Sequence, residues 1–378
     1  MMKKFSTTYS KEDRIEFIID DDKHMGWTEK FDSVHFNRFF VVIDKNVNRL
    51  YGKFILEKLK KHNKQIFLFE VEPDEHSKSL AFYPKLIDFF ESNKCNLSDL
   101  VIAVGGGVIL DLVSFACSTY MRGLNFYAVP TTLIGQIDAS TAGKTCLNTK
   151  KSKNLLGTFY YPLIAYNNIN FLKTNNGYHQ RQGFSEIFKY GLLGSPKLVR
   201  ILLKYSDTNS KSLLLEMIEL AMDIRIKVRK KNALASNLGH TFGHAIEKIS
   251  NFKILHGDAI SIGTIMSLYF SKEVGLITEE SIEYIIDIMK RIGLNVYLEK
   301  DIDVGKLIDV MTRDKKSAGE YINLVLIEGI GKPYYDGSYP FYKTPVNKLR
   351  VFLRMFIKKY PFQMSNCGEF LKRDFIDY

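Results

Sequence analysis

The sequence has few cysteines, and none of them are spaced as in a metal or redox motif. The four are Cys95, Cys117, Cys146 and Cys367, with no C-x-x-C pair among them. A disulfide framework and a zinc–thiolate site both need paired or closely spaced cysteines. The spacing therefore argues against both, and it fits a reducing compartment.

The sequence also has no hydrophobic run of the ~20 residues that a membrane-spanning helix needs. The most apolar stretch, residues 101–117, is broken by three glycines and by Asp111. Residues 1–8 are followed by charged residues rather than by the apolar core of a signal peptide. We therefore expect a cytoplasmic protein with no membrane partner.

Basic residues are in excess, with 53 Lys and Arg against 42 Asp and Glu and a formal net charge of +11. Such an excess is compatible with nucleic acid, an acidic membrane surface or an anionic small substrate. The densest basic run, residues 225–231, has no interleaved aromatic residues and fits no DNA-binding motif. It is more typical of a solvated helix face, and we expect no nucleic-acid partner.

Two kinds of pattern divide the chain. In the first part, β-branched and aromatic runs alternate with amphipathic segments, which predicts a parallel α/β sheet. Predicted strands are residues 38–43, 65–69, 100–104 and 125–129, and predicted helices are 50–62, 85–94 and 110–120. Beyond about residue 180 helical spacing dominates. There we predict helices around 216–221 and at 240–249, 259–274 and 279–292, and a strand–turn–strand at 321–327 and 332–335.

We therefore predict a nucleotide-binding α/β domain at residues 1–175 and a mainly helical domain at residues 176–360. Residues 361–378 form a C-terminal tail to which we assign no function.

Two segments suggest a nucleotide site. The glycines at 105–107 follow a predicted strand and precede a helix, so backbone amides can face a pyrophosphate. Leu110 occupies the position of the third glycine in a strict G-x-G-x-x-G motif, and a plain connection is equally compatible. Thr131 and Thr132 follow the strand at 125–129, where hydroxyls face the ligand crevice of α/β sheets. Capping of the next helix is the simpler interpretation for them.

Residues 138–145 resemble the end of a P-loop, but Asp138 stands where the first glycine is required. This excludes a nucleoside triphosphatase. Lys144, Lys153 and Asn154 nevertheless offer two cations and an amide suited to anionic oxygens.

Histidines give the strongest signal. His240 and His244 lie four residues apart, on one helix face, and His256 lies in the segment 255–259 that leads into the next predicted helix. Gly239 and Gly243 flank the pair and permit close approach by a ligand or by another backbone. Imidazoles with one carboxylate and an open position make a catalytic divalent-metal site.

The spacing leaves the carboxylate open. Glu247 is near in sequence, whereas Glu186 and Lys189 form a charged pair within an apolar helix, where charge is costly unless it is used.

In this order and spacing, these segments resemble the dehydroquinate synthase family of sugar-phosphate cyclases. The resemblance runs from about residue 40 to residue 335, and the block at 240–247 is its most specific part. The matching stretches are residues 75–80, 105–111, 120–123, 130–133, 138–144, 153–159, 186–191, 237–247, 255–259 and 314–316. The resemblance implies an N-terminal Rossmann-like, NAD-binding parallel-sheet domain and a C-terminal, mainly α-helical metal-binding domain.

The resemblance also implies site roles. Glu186, His240 and His256 would hold a divalent metal, zinc or cobalt. The residues implied to contact NAD are Asp44, Glu75, Lys78, Gly107, Val108, Asp111, Thr131, Thr132 and Lys153. Those implied to hold the substrate phosphate are Arg122, Lys144, Asn154, His244 and one of Lys315 and Lys316, for which we choose Lys316. The ring-forming site would contain His244, Lys189, Asp138 and Asn237, with Lys227 as an additional candidate. In such families Arg122 can be supplied across a dimer interface, and we expect a homodimer.

The implied reaction is redox-neutral overall and acts on a phosphorylated sugar. A transient oxidation is followed by phosphate elimination, reduction and intramolecular aldol closure to a carbocycle, as in 3-dehydroquinate synthase.

One departure bears on the substrate. The stretch between Lys227 and His240 is short, and Ala233 stands near the place of the family's carboxylate-binding arginine. Losing a charged hydrogen bond costs ~1.5–3 kcal/mol. This favours a carboxylate-free substrate, of the 2-deoxy-scyllo-inosose or valiolone synthase type, unless a displaced arginine such as Arg229 compensates.

A third hypothesis is a metal-dependent polyol dehydrogenase of the glycerol dehydrogenase type, which would not need the phosphate pocket. A degenerate, non-enzymatic scaffold is a fourth.

Overall fold

The structure is a computed structural model that describes residues 15–23, 36–141, 143–150, 153–232, 234–251, 253–297, 302–312, 317–318 and 320–360. Within these residues the chain packs as two compact units. Unit 1 takes its described residues from Met1–Ile18, His24–Pro130 and Ala142–Asn167. Unit 2 takes its described residues from Ile19–Lys23, Thr131–Thr141 and Asn168–Tyr378. The domain boundaries at residues 175 and 360 stay predictions, and the tail 361–378 lies outside the described residues.

Unit 1 is built on a parallel sheet, as the alternating pattern predicted. The strands are β1 Glu16–Asp20, β2 Arg38–Asp44, β3 Gln65–Val71, β4 Leu100–Gly105, β5 Phe126–Pro130 and β6 Ile164–Asn168. In the described residues their order is β1-β6-β5-β4-β2-β3, and the β3–β2, β2–β4, β4–β5 and β5–β6 pairs are parallel. Every residue of β4, β5 and β6 is buried, which is typical of parallel strands covered on both faces.

The helices of unit 1 follow the strands. They are α1 Lys45–Val47, a π-helical turn at Asn48–Gly52, α2 Lys53–Lys60, α3 Tyr83–Ser92, α4 Gly107–Thr119 and a 3-10 turn at Tyr120–Arg122. The predicted helix at 110–120 thus begins three residues earlier, directly after the glycine turn. The strand–glycine–helix prediction is confirmed.

Unit 2 is mainly helical, as predicted. Its helices are α5 Leu133–Ile137, 3-10 turns at Ala139–Thr141 and Ile169–Thr174, α6 Gly177–Gly194, α7 Pro196–Thr208, α8 Lys211–Lys231, α9 His240–Ile249, α10 His256–Glu273, α11 Glu279–Arg291, α12 Val304–Thr312 and α13 Val346–Lys359. Residues 182–193 of α6 are all buried, so α6 is an interior helix. Across the described ranges, we find no helix with the length and apolar character to cross a bilayer.

The late strand prediction was wrong in part. In place of one strand at 321–327, the chain has β8 Tyr321–Leu324 and β9 Ile327–Gly329, which belong to different sheets. β8 pairs with β7 Ser317–Ala318 and β11 Tyr342–Pro345, while β9 pairs with β10 Lys332–Pro333. Residues 324–327 are all buried. A one-sided strand would alternate between buried and exposed residues, so this run marks the change of partner.

Helices α9 and α10 approach closely at three glycines. A Cβ atom on Gly243 would lie 2.7 Å from Ile260 Cδ1, and one on Gly263 would lie 2.1 Å from the Gly239 carbonyl oxygen. Gly239 also has a φ of +75°, which few other residues adopt without strain. The sequence allowed either a ligand or another backbone to approach Gly239 and Gly243. In the structure, the backbone of α10 approaches both glycines. This packing fixes the start of α9 against α10.

We expect Gly263→Ala to destabilise the protein by ~1–3 kcal/mol, the usual cost of overpacking. The added methyl group would collide with the Gly239 carbonyl, although alanine is intrinsically the better helix former by ~1 kcal/mol. Urea unfolding followed by circular dichroism measures the change. Glu273→Ala, at the exposed end of the same helix, is the control and should stay within ~0.5 kcal/mol of wild type. A G263A protein as stable as wild type would contradict this account of the helix contact.

Candidate active site

The structure brings together the three predicted metal ligands. Glu186 lies in the middle of α6, and His240 and His256 are the first residues of α9 and α10. Glu186 Oε1 lies 3.5 Å from His240 Nε2 and 3.7 Å from His256 Nε2. Ligand atoms of all three side chains lie within 4.8 Å of one another. Between Glu186 and Glu247, the two carboxylates that the sequence left open, it is Glu186 that faces both Nε2 atoms.

This geometry fits a divalent metal. Two ligands of a tetrahedral zinc ion, each bound at ~2.0–2.1 Å, lie ~3.3–3.4 Å apart, which is close to the separations found here. Glu186 is 1% exposed, and its Oε1 atom accepts no hydrogen bond from any described residue. Leaving a buried carboxylate oxygen unsatisfied is costly, and a cation at this point would satisfy it. Three protein ligands leave a further coordination position for substrate.

Lys189 holds the other oxygen of the Glu186 carboxylate. Its Nζ donates to Glu186 Oε2 at 2.5 Å, from the next turn of α6, and both side chains are buried. Burial by itself would raise the pKa of Glu186, but the Lys189 ammonium and His256 outweigh it and hold that pKa below its usual value. The carboxylate is therefore ionised and its free oxygen is directed at the two imidazoles.

Each of the two imidazoles is oriented through its other ring nitrogen. His240 Nδ1 lies 3.0 Å from the Leu238 carbonyl oxygen, and His256 Nδ1 lies 3.2 Å from Glu247 Oε2. With both Nδ1 atoms engaged, both Nε2 atoms face Glu186. His244 lies beside them, with ring centroids 5.2 Å from His240 and 5.9 Å from His256. Ligand atoms of His244, Glu247 and His256 also lie within 4.8 Å of one another.

A second charge cluster is centred on Asp138, which follows α5 and is contacted by two buried side chains. Asp138 Oδ1 accepts from Arg225 Nε at 2.6 Å and from the Tyr190 hydroxyl at 2.8 Å. Burial would raise the pKa of Asp138, but Arg225 and Lys189 outweigh it and hold that pKa far below its usual value. Asp138 is therefore a permanent acceptor rather than an acid, and its side chain is 35% exposed.

Sequence reasoning missed Arg225. We assigned the basic run 225–231 to a solvated face, and for Arg225 this was wrong, because it is only 4% exposed. The signal was its spacing: Arg225 lies seven residues after Ile218 and four after Ala221, on the buried stripe of α8. Lys227, by contrast, is largely exposed and donates to Asp223 at 2.6 Å.

The glycine turn of unit 1 is built for close approach. Gly107 and Val108 begin α4, so their backbone N–H groups belong to a helix N-terminus, a ready site for phosphate oxygens. A Cβ atom on Gly105 would lie 2.5 Å from Ile109 Cγ1 and 3.1 Å from Asp44 Cβ. Asp44 caps α1 by accepting from Asn46 N at 2.7 Å and from Val47 N at 3.2 Å.

Four other predicted NAD residues form two pairs in unit 1. Lys78 Nζ donates to Asp111 Oδ2 at 2.5 Å. Burial opposes the charge on Lys78, but Asp111 outweighs it and raises the pKa of the ammonium. Glu75 Oε1 lies 3.8 Å from Lys153 Nζ and accepts from Asn148 at 2.7 Å.

Two predicted NAD residues, Thr131 and Thr132, belong to unit 2. The capping interpretation is confirmed for Thr132, whose Oγ1 accepts from Gly135 N at 3.1 Å at the start of α5.

Of the predicted phosphate residues that can be described, His244 lies on α9 of unit 2, and Arg122, Lys144 and Asn154 lie in connecting segments of unit 1. Lys144 forms an isolated antiparallel β-bridge with Phe159. Asn154 lies between these two residues in the sequence and has a φ of +54°. Arg122 has a φ of +67° and ends the 3-10 turn before Gly123. Strained backbone of this kind is concentrated at functional sites.

Of the remaining predicted residues, three lie outside the described part of the chain and one lies before α9. Lys315 and Lys316, and Ala233 in the shortened stretch, lie outside the described residues. Asn237 lies just before α9, where its Nδ2 donates to the Leu234 carbonyl at 2.8 Å.

Two models of one protein family match consecutive parts of the chain. The family model for the 3-dehydroquinate synthase N-terminal domain matches residues 68–182, and the model for the C-terminal domain of the same enzyme matches residues 183–317. The chain is 34% identical to the 3-dehydroquinate synthase of Streptococcus agalactiae over 325 residues, which cover 83% of this chain and 89% of that one. The chain belongs to the 3-dehydroquinate synthase family.

Solved structures of related cyclases share the fold. The 2-epi-5-epi-valiolone synthase of Streptomyces hygroscopicus, solved with NAD+ and Zn2+, has a TM-score of 0.83 and 23% identity over 94% of this chain and 100% of that one. A 2-deoxy-scyllo-inosose synthase, solved with carbaglucose-6-phosphate, NAD+ and Co2+, has a TM-score of 0.77 and 19% identity over 90% of this chain and 96% of that one. The family and fold predictions are confirmed. The individual site roles remain predictions.

We expect Asp111→Leu to cost ~3–5 kcal/mol, because it leaves the buried Lys78 ammonium without its partner. Lys78→Met should cost less, because the Asp111 side chain that it leaves is 16% exposed. The double variant should regain most of that stability, since no unpaired charge remains. If the pair also contacts NAD, all three variants should bind NAD more weakly than wild type. Urea unfolding measures the stability, and fluorescence or calorimetric titration measures NAD binding.

A stable double variant that binds NAD as wild type does would assign the pair a structural role only. Lys45→Met, at an exposed ion pair with Glu72, is the matched control and should change neither quantity.

Proposed function

We propose that this protein is a NAD- and divalent-metal-dependent sugar-phosphate cyclase with 3-dehydroquinate synthase activity. The observation that carries the proposal is the meeting of Glu186, His240 and His256, with a buried carboxylate oxygen facing two imidazole nitrogens. The family assignment supports the same reaction, a phosphate-eliminating ring closure. When bound, NAD+ would accept and return a hydride, and the metal would act as a Lewis acid toward substrate hydroxyls.

In this proposal the residues around the metal prepare the site before substrate arrives. Glu186, His240 and His256 hold the ion. Lys189 keeps Glu186 ionised and fixes its rotation through the 2.5 Å bond to Oε2. Because Glu186 and Lys189 are buried and both imidazoles are already oriented, little reorganisation is needed during the reaction.

Asp138 would accept a hydrogen bond from a substrate hydroxyl. Its pKa is held too low for it to donate a proton, and its partly exposed carboxylate has Arg225 and Tyr190 on one oxygen. His244 lies on the same helix face as His240, as the i,i+4 spacing predicts. We assign it the movement of a proton at the substrate phosphate, because an imidazole can change charge near neutral pH.

Cations and an amide would hold the phosphate so that it leaves in a fixed direction. We assign this role to Arg122, Lys144 and Asn154, and on sequence alone to Lys316. The glycine turn at Gly107 and Val108 would bind the NAD pyrophosphate, with Asp44, Glu75, Lys78, Asp111, Thr131, Thr132 and Lys153 as the other proposed contacts.

Arg225 supports a substrate that carries a carboxylate. Its Nη1 atom is buried and has no hydrogen-bond partner among the described residues. A buried guanidinium N–H without an acceptor is costly, and a bound carboxylate would satisfy it. Arg225 thus offers a carboxylate partner that the shortened stretch before His240 lacks.

The second candidate is a cyclase of a carboxylate-free sugar phosphate, such as a hexose or sedoheptulose phosphate. The observation that favours it is Ala233, which stands near the position of the family's carboxylate-binding arginine. A polyol dehydrogenase of the glycerol dehydrogenase type is disfavoured, because it would not need Arg122, Lys144 and Asn154 as phosphate ligands.

We also propose that the protein is a cytoplasmic homodimer. Two observations support this: the scattered, unpaired cysteines, and exposed apolar side chains on unit 1 at Met121, Leu155 and Phe159. Light scattering on the purified protein tests the dimer.

We expect the purified protein to bind one zinc or cobalt ion, and to release phosphate from its sugar phosphate without net accumulation of NADH. Chelation should abolish phosphate release, and added zinc or cobalt should restore it. Glu186→Gln should weaken metal binding and lower kcat/KM by at least ~100-fold, because a neutral amide is a poor replacement for an ionised ligand. Glu280→Gln, an exposed site on α11, is the control.

Steady production of NADH from an unphosphorylated polyol would instead indicate a dehydrogenase. A wild-type protein that takes up no metal and turns over no sugar phosphate would overturn the proposed function.

For the substrate, we expect phosphate release to be faster with the seven-carbon heptulosonate phosphate than with sedoheptulose or hexose phosphates. Arg225→Lys keeps the charge but loses the planar guanidinium fork, whose separate Nε and Nη1 donors can serve two partners at once, so it should raise KM for the carboxylated substrate by ~10-fold or more. The same variant should change KM for a carboxylate-free sugar phosphate much less. If wild type prefers the carboxylate-free sugars, the second candidate function replaces the first.

A further inference from the structure

The two metal-facing histidines are held by chemically different partners. His240 Nδ1 faces a backbone carbonyl, that of Leu238, at 3.0 Å. His256 Nδ1 faces a carboxylate, Glu247 Oε2, at 3.2 Å. A carbonyl is a neutral acceptor, whereas a carboxylate carries a full negative charge, so the two imidazoles are not equivalent as ligands.

The Glu247 carboxylate is costly to place where it is. It lies on α9 and is 2% exposed, although glutamate is rarely buried without a partner. The other carboxylate of the cluster, Glu186, has an ammonium group on one oxygen, that of Lys189. Glu247 Oε2 lies 3.2 Å from an imidazole nitrogen, His256 Nδ1, and so places a second carboxylate beside the predicted metal ligands.

We propose that Glu247 is a positioning residue that acts on the metal through His256. It would fix the tautomer with the proton on Nδ1, hold the ring with Nε2 toward Glu186 Oε1, and increase the electron density at Nε2. This inference rests on the proposed function, because it assumes that the Glu186 cluster holds a divalent metal. Groups that hold a metal ligand in this way typically change metal affinity by ~10–100-fold.

Glu247 has a second neighbour that gives a competing role. A carboxylate oxygen of Glu247 lies within 4.8 Å of a ring nitrogen of His244, three residues earlier on α9. If Glu247 served His244 instead, its loss would alter the pH dependence of kcat and leave metal affinity unchanged. The two roles are therefore separated by measuring metal binding directly.

The experiment compares wild type with Glu247→Gln, which keeps the side-chain shape and removes the charge. The zinc dissociation constant is measured by competition with a chromophoric chelator, and the visible spectrum is recorded after loading with Co2+. We expect E247Q to bind zinc ~10–100-fold more weakly and to show a shifted Co2+ spectrum. Glu280→Gln, exposed on α11, is the matched control and should behave as wild type in both measurements.

A second measurement needs no variant and covers the case in which E247Q does not fold. Long-range 1H–15N spectra of the zinc-loaded wild type report the tautomer of each histidine. We expect His256 to carry its proton on Nδ1 and to bind zinc through Nε2, and the reverse tautomer would overturn the proposal.

Zinc binding by E247Q equal to that of wild type would overturn it as well, including when only the pH profile of kcat has moved. Failure of the proposed function looks different, because wild type itself would then bind no zinc.

Discussion

The site depends on one costly placement, a glutamate and a lysine in the interior of α6. Every residue from 182 to 193 is buried, and moving an isolated charge into such surroundings costs several kcal/mol. The Glu186–Lys189 bond offsets part of this cost and satisfies one carboxylate oxygen. The other oxygen remains unsatisfied and faces two imidazoles. A buried ion pair that leaves one carboxylate oxygen unsatisfied does not favour folding by itself. We therefore assign a cation to this position, where it would satisfy that oxygen.

The packing of α9 against α10 makes that assignment possible. His240 and His256 begin two helices, and their Nε2 atoms both come within 4 Å of Glu186 Oε1. Such proximity requires the two helix starts to be fixed relative to each other. At Gly239, Gly243 and Gly263 the lack of a Cβ atom lets backbone and side-chain atoms of the facing segment approach closely. These glycines therefore contribute to the site by fixing the two helix starts.

The sequence was sufficient for the parts governed by local pattern. The α/β alternation predicted the parallel sheet, and helical spacing predicted α9 with its observed bounds and α10 from residue 259, three residues after its observed start. It was not sufficient where tertiary packing decides. The choice between Glu186 and Glu247 could not be made from spacing, because 54 and 7 residues separate these two carboxylates from His240.

Arg225 was missed because it was interpreted together with its basic neighbours as part of an exposed face, and its position on the buried stripe of α8 was not considered. The strand at 321–327 failed for a related reason, since a change of sheet within an apolar run has no local signal.

The substrate question turns on how two cations are arranged in unit 2. Lys189 and Arg225 both lower the pKa of Asp138, yet each also has a further function in the cluster. Lys189 donates to Glu186 Oε2 and also lies close enough to lower the pKa of Asp138. Arg225 uses Nε for Asp138 and retains Nη1, a buried donor with no partner in the described part of the chain. An arginine that served only to neutralise Asp138 would more simply present two N–H groups to the two carboxylate oxygens. Arg225 instead donates through Nε to Asp138 Oδ1 and to the Tyr190 hydroxyl. Nη1 is therefore the donor that our proposal gives to a substrate carboxylate, which a carboxylate-free sugar would not supply.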